Sequence, residues 1–126
     1  MVDFLAIDDA LFLHTNQIEL YGGNQGVRDW GLLESAMAQP QATFGDTFLH
    51  SDLFEMAAAY LYHIVQNHPF YDGNKRTGTV VALVFLDLNK IEIDAPVGAI
   101  SDLTLQVATG QAHKNEIAAF FRVHAQ

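Results

Sequence analysis

The stretch from Asp52 to Leu88 reads DLFEMAAAYLYHIVQNHPFYDGNKRTGTVVALVFLDL, two apolar blocks around a short polar centre. Asp52 and Glu55 have the spacing of a capping box, with aspartate in place of the usual Ser or Thr, so a helix is expected from Leu53 to about Asn67, ending before Pro69. Its residues Leu53, Phe54, Met56, Ala57 to Ala59, Leu61, Ile64 and Val65 cover most of the circumference. A helix that is apolar nearly all round belongs at the centre of a fold. The block from about Asn74 to Leu88 has the same character, through Val80 to Leu86. The two blocks therefore read as a pair of central helices joined by the loop His68 to Asn74.

Outward from this pair the pattern stays helical. Asp8 is a candidate N-cap for a helix through Leu20 that Gly22 and Gly23 stop, and Asp29 one for a helix from Trp30 to Gln39 that Pro40 stops. Residues 41 to 50 are irregular and fit a short hairpin, and Ile91 to Ile93 a short extended piece. Asp102 to Thr109 reads as a helix ended by Gly110, and Asn115 as the cap of a last one reaching His124. Trp30, Phe120 and Phe121 are expected in the core, and His14, His50, His113 and His124 read as isolated histidines without a site. The fold class is all-α with at most one small hairpin, in one domain spanning residues 1–126.

Composition narrows the function. The chain holds six Lys plus Arg against fifteen Asp plus Glu, a formal net charge of −9. That balance argues against nucleic acid, which is bound by cations that displace counterions from phosphates. There is no cysteine, hence no disulfide framework, thiolate metal site or thiol nucleophile. The longest apolar run, Val80 to Leu86, is too short to span a bilayer, and the N-terminus lacks the pattern of a signal peptide, so a cytoplasmic protein without a membrane partner is expected.

The loop carries more chemistry than a turn requires. A helix starting at about Asn74 presents unpaired N–H groups and the positive end of its dipole, and a preceding glycine lets several N–H groups converge on one anion. Gly73, Asn74, Lys75, Arg76 and Thr77 therefore form a candidate phosphate cradle, with Lys75 and Arg76 as charge-neutralising cations. It is not a Walker loop, whose glycine and lysine spacing is absent. Asp72 offers the hard oxygen that Mg²⁺ prefers. His68 offers an imidazole, whose ordinary pKa of ~6.5 suits a general base at neutral pH. Phe70 reads as a core anchor of the loop, and Arg28 with Asp29 as a cap-and-turn feature.

The run His68-Pro-Phe-Tyr-Asp-Gly-Asn-Lys-Arg-Thr77 resembles the signature of the Fic/Doc family, more closely its Doc (death-on-curing) toxin branch. Tyr21-Gly-Gly, Gly26-Val-Arg-Asp29, Leu32-Leu-Glu-Ser-Ala36 and Pro40 extend the resemblance over roughly residues 20 to 90. It implies a compact helical domain binding ATP and Mg²⁺, with His68 as base, Asp72 as metal ligand, and Gly73, Asn74, Lys75 and Arg76 at the phosphates. The segment Thr43, Phe44, Gly45, Asp46 and Thr47, continuing to Leu49, would match the flap that holds a target polypeptide as an added strand. Typical family adenylyltransferases have glycine at the position of Lys75 and a second arginine at that of Thr79. The replacements resemble Doc, which passes the γ-phosphate of ATP to a threonine of elongation factor Tu and stops translation. Gly73 departs from Doc, which has alanine there. Adenylyl transfer, or binding without turnover, are the alternatives. Near matches to the family's inhibitory motif at Thr15 to Glu19 and Ser51 to Glu55 are incomplete, so the resemblance implies inhibition in trans by a small antitoxin.

Overall fold

In the computed structural model, which describes residues 1–126, six helices and one two-stranded hairpin follow one another as α1 (Ile7–Tyr21), α2 (Trp30–Ala38), β1 (Thr43–Phe44), β2 (Thr47–Phe48), α3 (Leu53–Asn67), α4 (Asn74–Leu88), α5 (Ala99–Ala108) and α6 (Lys114–His124). The antiparallel strands pair Thr43 with Phe48 and Phe44 with Thr47. This is the helical fold with a small hairpin that the sequence announced. None of its helices is long and apolar enough to cross a membrane.

The apolar wrap of α3 places it at the centre, with α2, α4, α5 and α6 packed around it. Met56 to Leu61, Ile64 and Val65 are buried there. Against them α4 comes unusually close. At Gly78 a Cβ would lie 3.1 Å from Val65 Cγ2 and 3.3 Å from the Leu61 carbonyl oxygen, so glycine is what lets the two backbones approach. The N-terminal segment is tied to the same core by Tyr60, whose buried hydroxyl accepts from Leu5 N–H at 3.0 Å and donates to its carbonyl at 3.3 Å.

Helix boundaries follow local chemistry, not always that expected. Asp29 caps α2 by accepting from Leu32 N–H at 3.0 Å, as read. Asp52 likewise accepts from Glu55 N–H at 2.8 Å, but the Glu55 carboxylate turns to Ser51 Oγ, so only half of the box forms. Asp8 is not the cap of α1: Ala6 is, because Asp9 reaches back to its N–H at 2.8 Å. The last helix is capped at His113 rather than Asn115, Glu116 accepting from His113 N–H at 2.7 Å. α5 starts at Ala99 after Gly98, whose left-handed backbone begins the helix without any side-chain cap to mark it. Pro40 does not end the turn abruptly, since a 3₁₀ turn runs through Gln39–Gln41. Trp30 is 55% exposed and so not core, whereas Phe121 is buried.

His50, read as isolated, meets His63 of α3 across the fold through Lys114. The Lys114 ammonium lies 3.3 Å from His50 Nε2 and 3.2 Å from His63 Nε2, holding the loop before α3, α3 itself and α6 together. Burial first, then Lys114, then His50 push the His63 pKa down to about 4, and burial and Lys114 lower that of His50. The folded state thus refuses protons that the unfolded chain accepts below its ordinary 6.5. Stability is therefore expected to fall as pH drops from 6.5 toward about 4, read as a declining Tm in thermal melts across that window. His63→Gln, which keeps an acceptor for Lys114 but cannot titrate, should flatten the decline. A wild-type Tm constant between those limits would contradict the assignment.

Candidate active site

Helix α3 ends at Asn67, and the chain turns through His68 in the left-handed region, φ 52° and ψ 53°. A residue with a Cβ adopts this only where its surroundings enforce it. Arg28 does so from outside: its Nε donates to the His68 carbonyl at 2.7 Å and its Nη2 to that of Asn67 at 3.0 Å. These are carbonyls that the helix end leaves unpaired, at the negative pole of its dipole. The next carbonyl, of Pro69, accepts from Arg28 N–H at 2.7 Å and Asp29 N–H at 3.0 Å, and Tyr71 N–H donates to Gly26 O at 3.2 Å. Residues 26 to 29 thus form a rail behind the loop. Gly26, at φ 115°, has the Tyr71 ring where a Cβ would be, 3.2 Å away.

Phe70 is fully buried, as expected, and its ring stacks on His14 with centroids 3.9 Å apart and planes 6° from parallel. The Asn74 side chain, also buried, closes the loop on itself: Oδ1 accepts from Phe70 N–H at 2.9 Å and Nδ2 donates to the Phe70 carbonyl at 3.0 Å. His14 is the site residue that the sequence did not disclose. Its Nε2 donates to the Asp72 carbonyl at 2.8 Å, so that nitrogen carries the proton. Burial is the main cause that lowers its pKa, with Arg76 adding to the effect against the pull of the Asp72 bond. The spacing of four between His14 and Ile18, which both face the loop, was the available signal, but nothing in one sequence says which helix face meets that loop.

Asp72 has its backbone carbonyl anchored and its carboxylate directed outward. Oδ2 accepts from Asn24 N–H at 3.2 Å and Oδ1 from Gly73 N–H at 2.9 Å. These two bonds, aided by Arg76, hold its pKa below the usual carboxylate range. An ionised, hard-oxygen ligand beside an anion cradle fits Mg²⁺ carried in with a nucleotide, with phosphate oxygens and waters completing the shell. No cluster of three or more metal-ligating side chains exists to bind the ion by itself.

The cradle follows directly. Gly73 is left-handed at φ 75°, and a Cβ on it would lie 2.9 Å from Ile18 Cδ1. The first N–H bonded back along α4 is that of Thr77, to Gly73 O at 2.9 Å, leaving those of Asn74, Lys75 and Arg76 directed out of the helix end. Lys75 is exposed and unpaired, and Arg76 is held by the Gly22 carbonyl at 2.9 Å with its guanidinium 5.8 Å from the Tyr21 ring centre. His68, Tyr71, Asp72, Gly73, Lys75 and Arg76 line one cavity of about 470 Å³. A neighbouring cavity of about 540 Å³ shares Lys75 and Arg76 and continues past Thr79 to α5.

The structure bears on three expected assignments. The Asn74 side chain is consumed by Phe70, so only its backbone N–H faces an anion. Thr77 is fully buried, its hydroxyl without a hydrogen-bond partner, and it does not line the cavity. The hairpin residues Thr43, Phe44, Gly45, Asp46 and Thr47 do not line the cavity. Phe48 instead packs on Phe4, itself stacked on Phe85, which is about 16 Å along α4 from Asn74. The hairpin forms where the sequence placed it.

Geometry gathers an unbonded imidazole, an ionised carboxylate, three helix-terminal N–H groups and two cations around one space, a set suited to in-line transfer of a phosphoryl-type group. Asn74→Ala tests how the loop is held. It removes two hydrogen bonds and strands the Phe70 N–H and carbonyl in the interior, at a cost of about 2–4 kcal/mol by chemical denaturation. A loss below about 0.5 kcal/mol would mean that the latch is redundant.

Comparison with known proteins agrees with this geometry. The model of the Fic/DOC family matches residues 4–86, which include the whole site. A Toxin Doc from Mycolicibacterium smegmatis is 38% identical over 121 residues, covering 94% of this chain and 91% of that protein. The Protein kinase doc of Escherichia phage P1 is 35% identical over 116 residues, covering 91% of this chain and 90% of that one. With His68, Asp72 and the α4 terminus gathered on one loop, the chain belongs to the Fic/DOC family and is similar along most of its length to Doc proteins.

Proposed function

We propose that this protein is a Doc-like toxin that transfers the γ-phosphate of ATP to a Ser or Thr hydroxyl of a protein, by resemblance a threonine of elongation factor Tu, and so halts translation. The observation that carries the chemistry is the shared cavity in which the unpaired His68 ring faces the α4 terminus, Asp72 and Lys75. His68 takes the proton of the attacking hydroxyl. The new bond joins that oxygen to the γ-phosphorus, the bond from that phosphorus to the β-bridging oxygen breaks, and ADP leaves. The N–H groups of Asn74, Lys75 and Arg76 and the side chains of Lys75 and Arg76 hold the phosphates. Asp72 would hold Mg²⁺, which supplies charge neutralisation on the transferring oxygens.

Two observations favour phosphate over adenylyl transfer. One relative of near-equal length is a protein kinase by name. At the Thr79 position, where the family's adenylyltransferases have an arginine, the hydroxyl donates to Lys75 O at 2.9 Å and lies 3.0 Å from Thr104 Oγ1, giving no cation to a third phosphate. Gly73 does not weigh the other way, since its left-handed backbone at φ 75° is what glycine adopts without strain. Resemblance to toxins implies a small antitoxin that inhibits in trans, and ATP as donor implies work in the cytoplasm.

Incubation with ATP labelled at the α- or the γ-phosphate decides the reaction. Only γ-label is expected on protein, and His68→Ala should reduce the rate by at least about 100-fold. Transfer of α-label would establish adenylylation instead, and no transfer of either would leave binding as the function.

A further inference from the structure

The imidazole of His68 is exposed, and none of the protein's hydrogen bonds reaches it. Its direction toward the cavity is therefore set by its backbone, which is left-handed at a residue with a Cβ. Such a conformation is less favourable for a residue with a Cβ than for glycine, so the hydrogen bonds around it decide how firmly it is held. Asn74 latches Phe70, two residues further on, and His14 holds the Asp72 carbonyl, but neither touches His68. Within α3 the His68 N–H donates to the Ile64 carbonyl at 3.1 Å, and the group bonded to it from outside the helix is Arg28.

We propose that Arg28 is the positioning residue of the general base, fixing where the His68 ring stands through the backbone alone. Arg28 grips three successive carbonyls. Its Nη2 donates to Asn67 O at 3.0 Å, its Nε to His68 O at 2.7 Å and its backbone N–H to Pro69 O at 2.7 Å. The planar guanidinium fork bridges the first two in one fixed geometry, which a lysine ammonium cannot reproduce. Arg28 has no carboxylate partner, both ion pairs of the protein lying elsewhere, so its charge serves the end of α3. Without it, the Asn67 and His68 carbonyls turn to water and φ of His68 relaxes toward negative values. The ring then swings away from the hydroxyl it must deprotonate, while Asp72, Gly73 and Lys75 stay on their own supports. The side chain is exposed, so its removal opens no cavity in the core. This inference rests on the phosphotransfer reading only in taking His68 as the base.

The test uses Arg28→Met, which keeps the apolar stem, and Arg28→Lys, which keeps the charge, both in the full chain. Transfer of label from either nucleotide phosphate is followed together with the ¹³Cα chemical shift of His68, which reports left-handed backbone without any need for activity. The expected result for Arg28→Met is a kcat lower by about 30-fold, with the nucleotide KM within about twofold of wild type. The His68 shift moves off its left-handed value, and added guanidinium ion restores part of the rate. Arg28→Lys recovers part of kcat as well. An unchanged kcat, or an unchanged His68 shift, overturns the proposal. A loss of kcat matched by loss of nucleotide affinity also overturns it, because Arg28 would then serve the whole loop. If the wild type transfers neither label, the functional reading fails, while the chemical shift still decides whether Arg28 fixes His68.

Discussion

The close crossing of α3 and α4 at Gly78 is the constraint from which the rest follows. Two central helices pressed together at the Leu61 carbonyl leave only the six residues from His68 to Gly73 to reverse the chain between them. A reversal that short requires left-handed backbone at both ends, and both ends have it: His68 at φ 52° and Gly73 at φ 75°. Glycine meets that demand without strain, whereas histidine needs support. The rail of residues 26 to 29 is that support, with Arg28 bonded to the His68 carbonyl itself. The tight turn also places His68 at the C-terminal end of one helix and the N–H groups of Asn74, Lys75 and Arg76 at the N-terminal end of the next, so base and anion cradle face one cavity because the loop is short.

Electrostatics follows the same geometry. An acidic chain with only six Lys and Arg has to gather them to hold a polyanion, and Arg28, Lys75 and Arg76 all border this loop. Their tasks differ. Arg76 is spent largely on the Gly22 and Gln17 carbonyls at the end of α1, and Arg28 on the end of α3, which leaves Lys75 as the cation most free to follow a phosphate. The helix dipoles account for the division. Arginines sit against the carbonyl ends of α1 and α3, and the anion is left to the amide end of α4.

Sequence made the fold legible where the signal was dense. The apolar wrap of α3, the Asp29 and Asp52 caps, the Gly73 start of α4 and the hairpin were each marked by a residue whose chemistry permits few alternatives. Boundaries failed where the chain used a generic group: Ala6 caps α1 only because Asp9 reaches back, and Gly98 starts α5 with no side chain at all. In the site, the groups that face the cavity were legible, because His, Asp and Lys in a turn have few structural uses. The groups that hold it were not. His14, Arg28 and the second task of Asn74 depend on which distant segment packs behind the loop, and that is decided by tertiary contact rather than by local pattern.

His14 and His68 show why residue type alone could not divide these roles. Both are histidines that face the same loop. His14 is buried, stacked on Phe70 and bonded through Nε2 to the Asp72 carbonyl, which fixes its tautomer; burial lowers its pKa, and it does not line the cavity. His68 is exposed, with its ring unbonded and its backbone doubly held. A base must be able to release the proton it takes up, and only the second environment leaves a nitrogen free to exchange with an incoming hydroxyl. The first suits a hinge pin. What separates the two is the direction of hydrogen bonding: the structure grips the ring of one and the carbonyl of the other. The His68 backbone is thus held from behind while both nitrogens of its ring stay unbonded, the arrangement that the proposed reaction asks of its base.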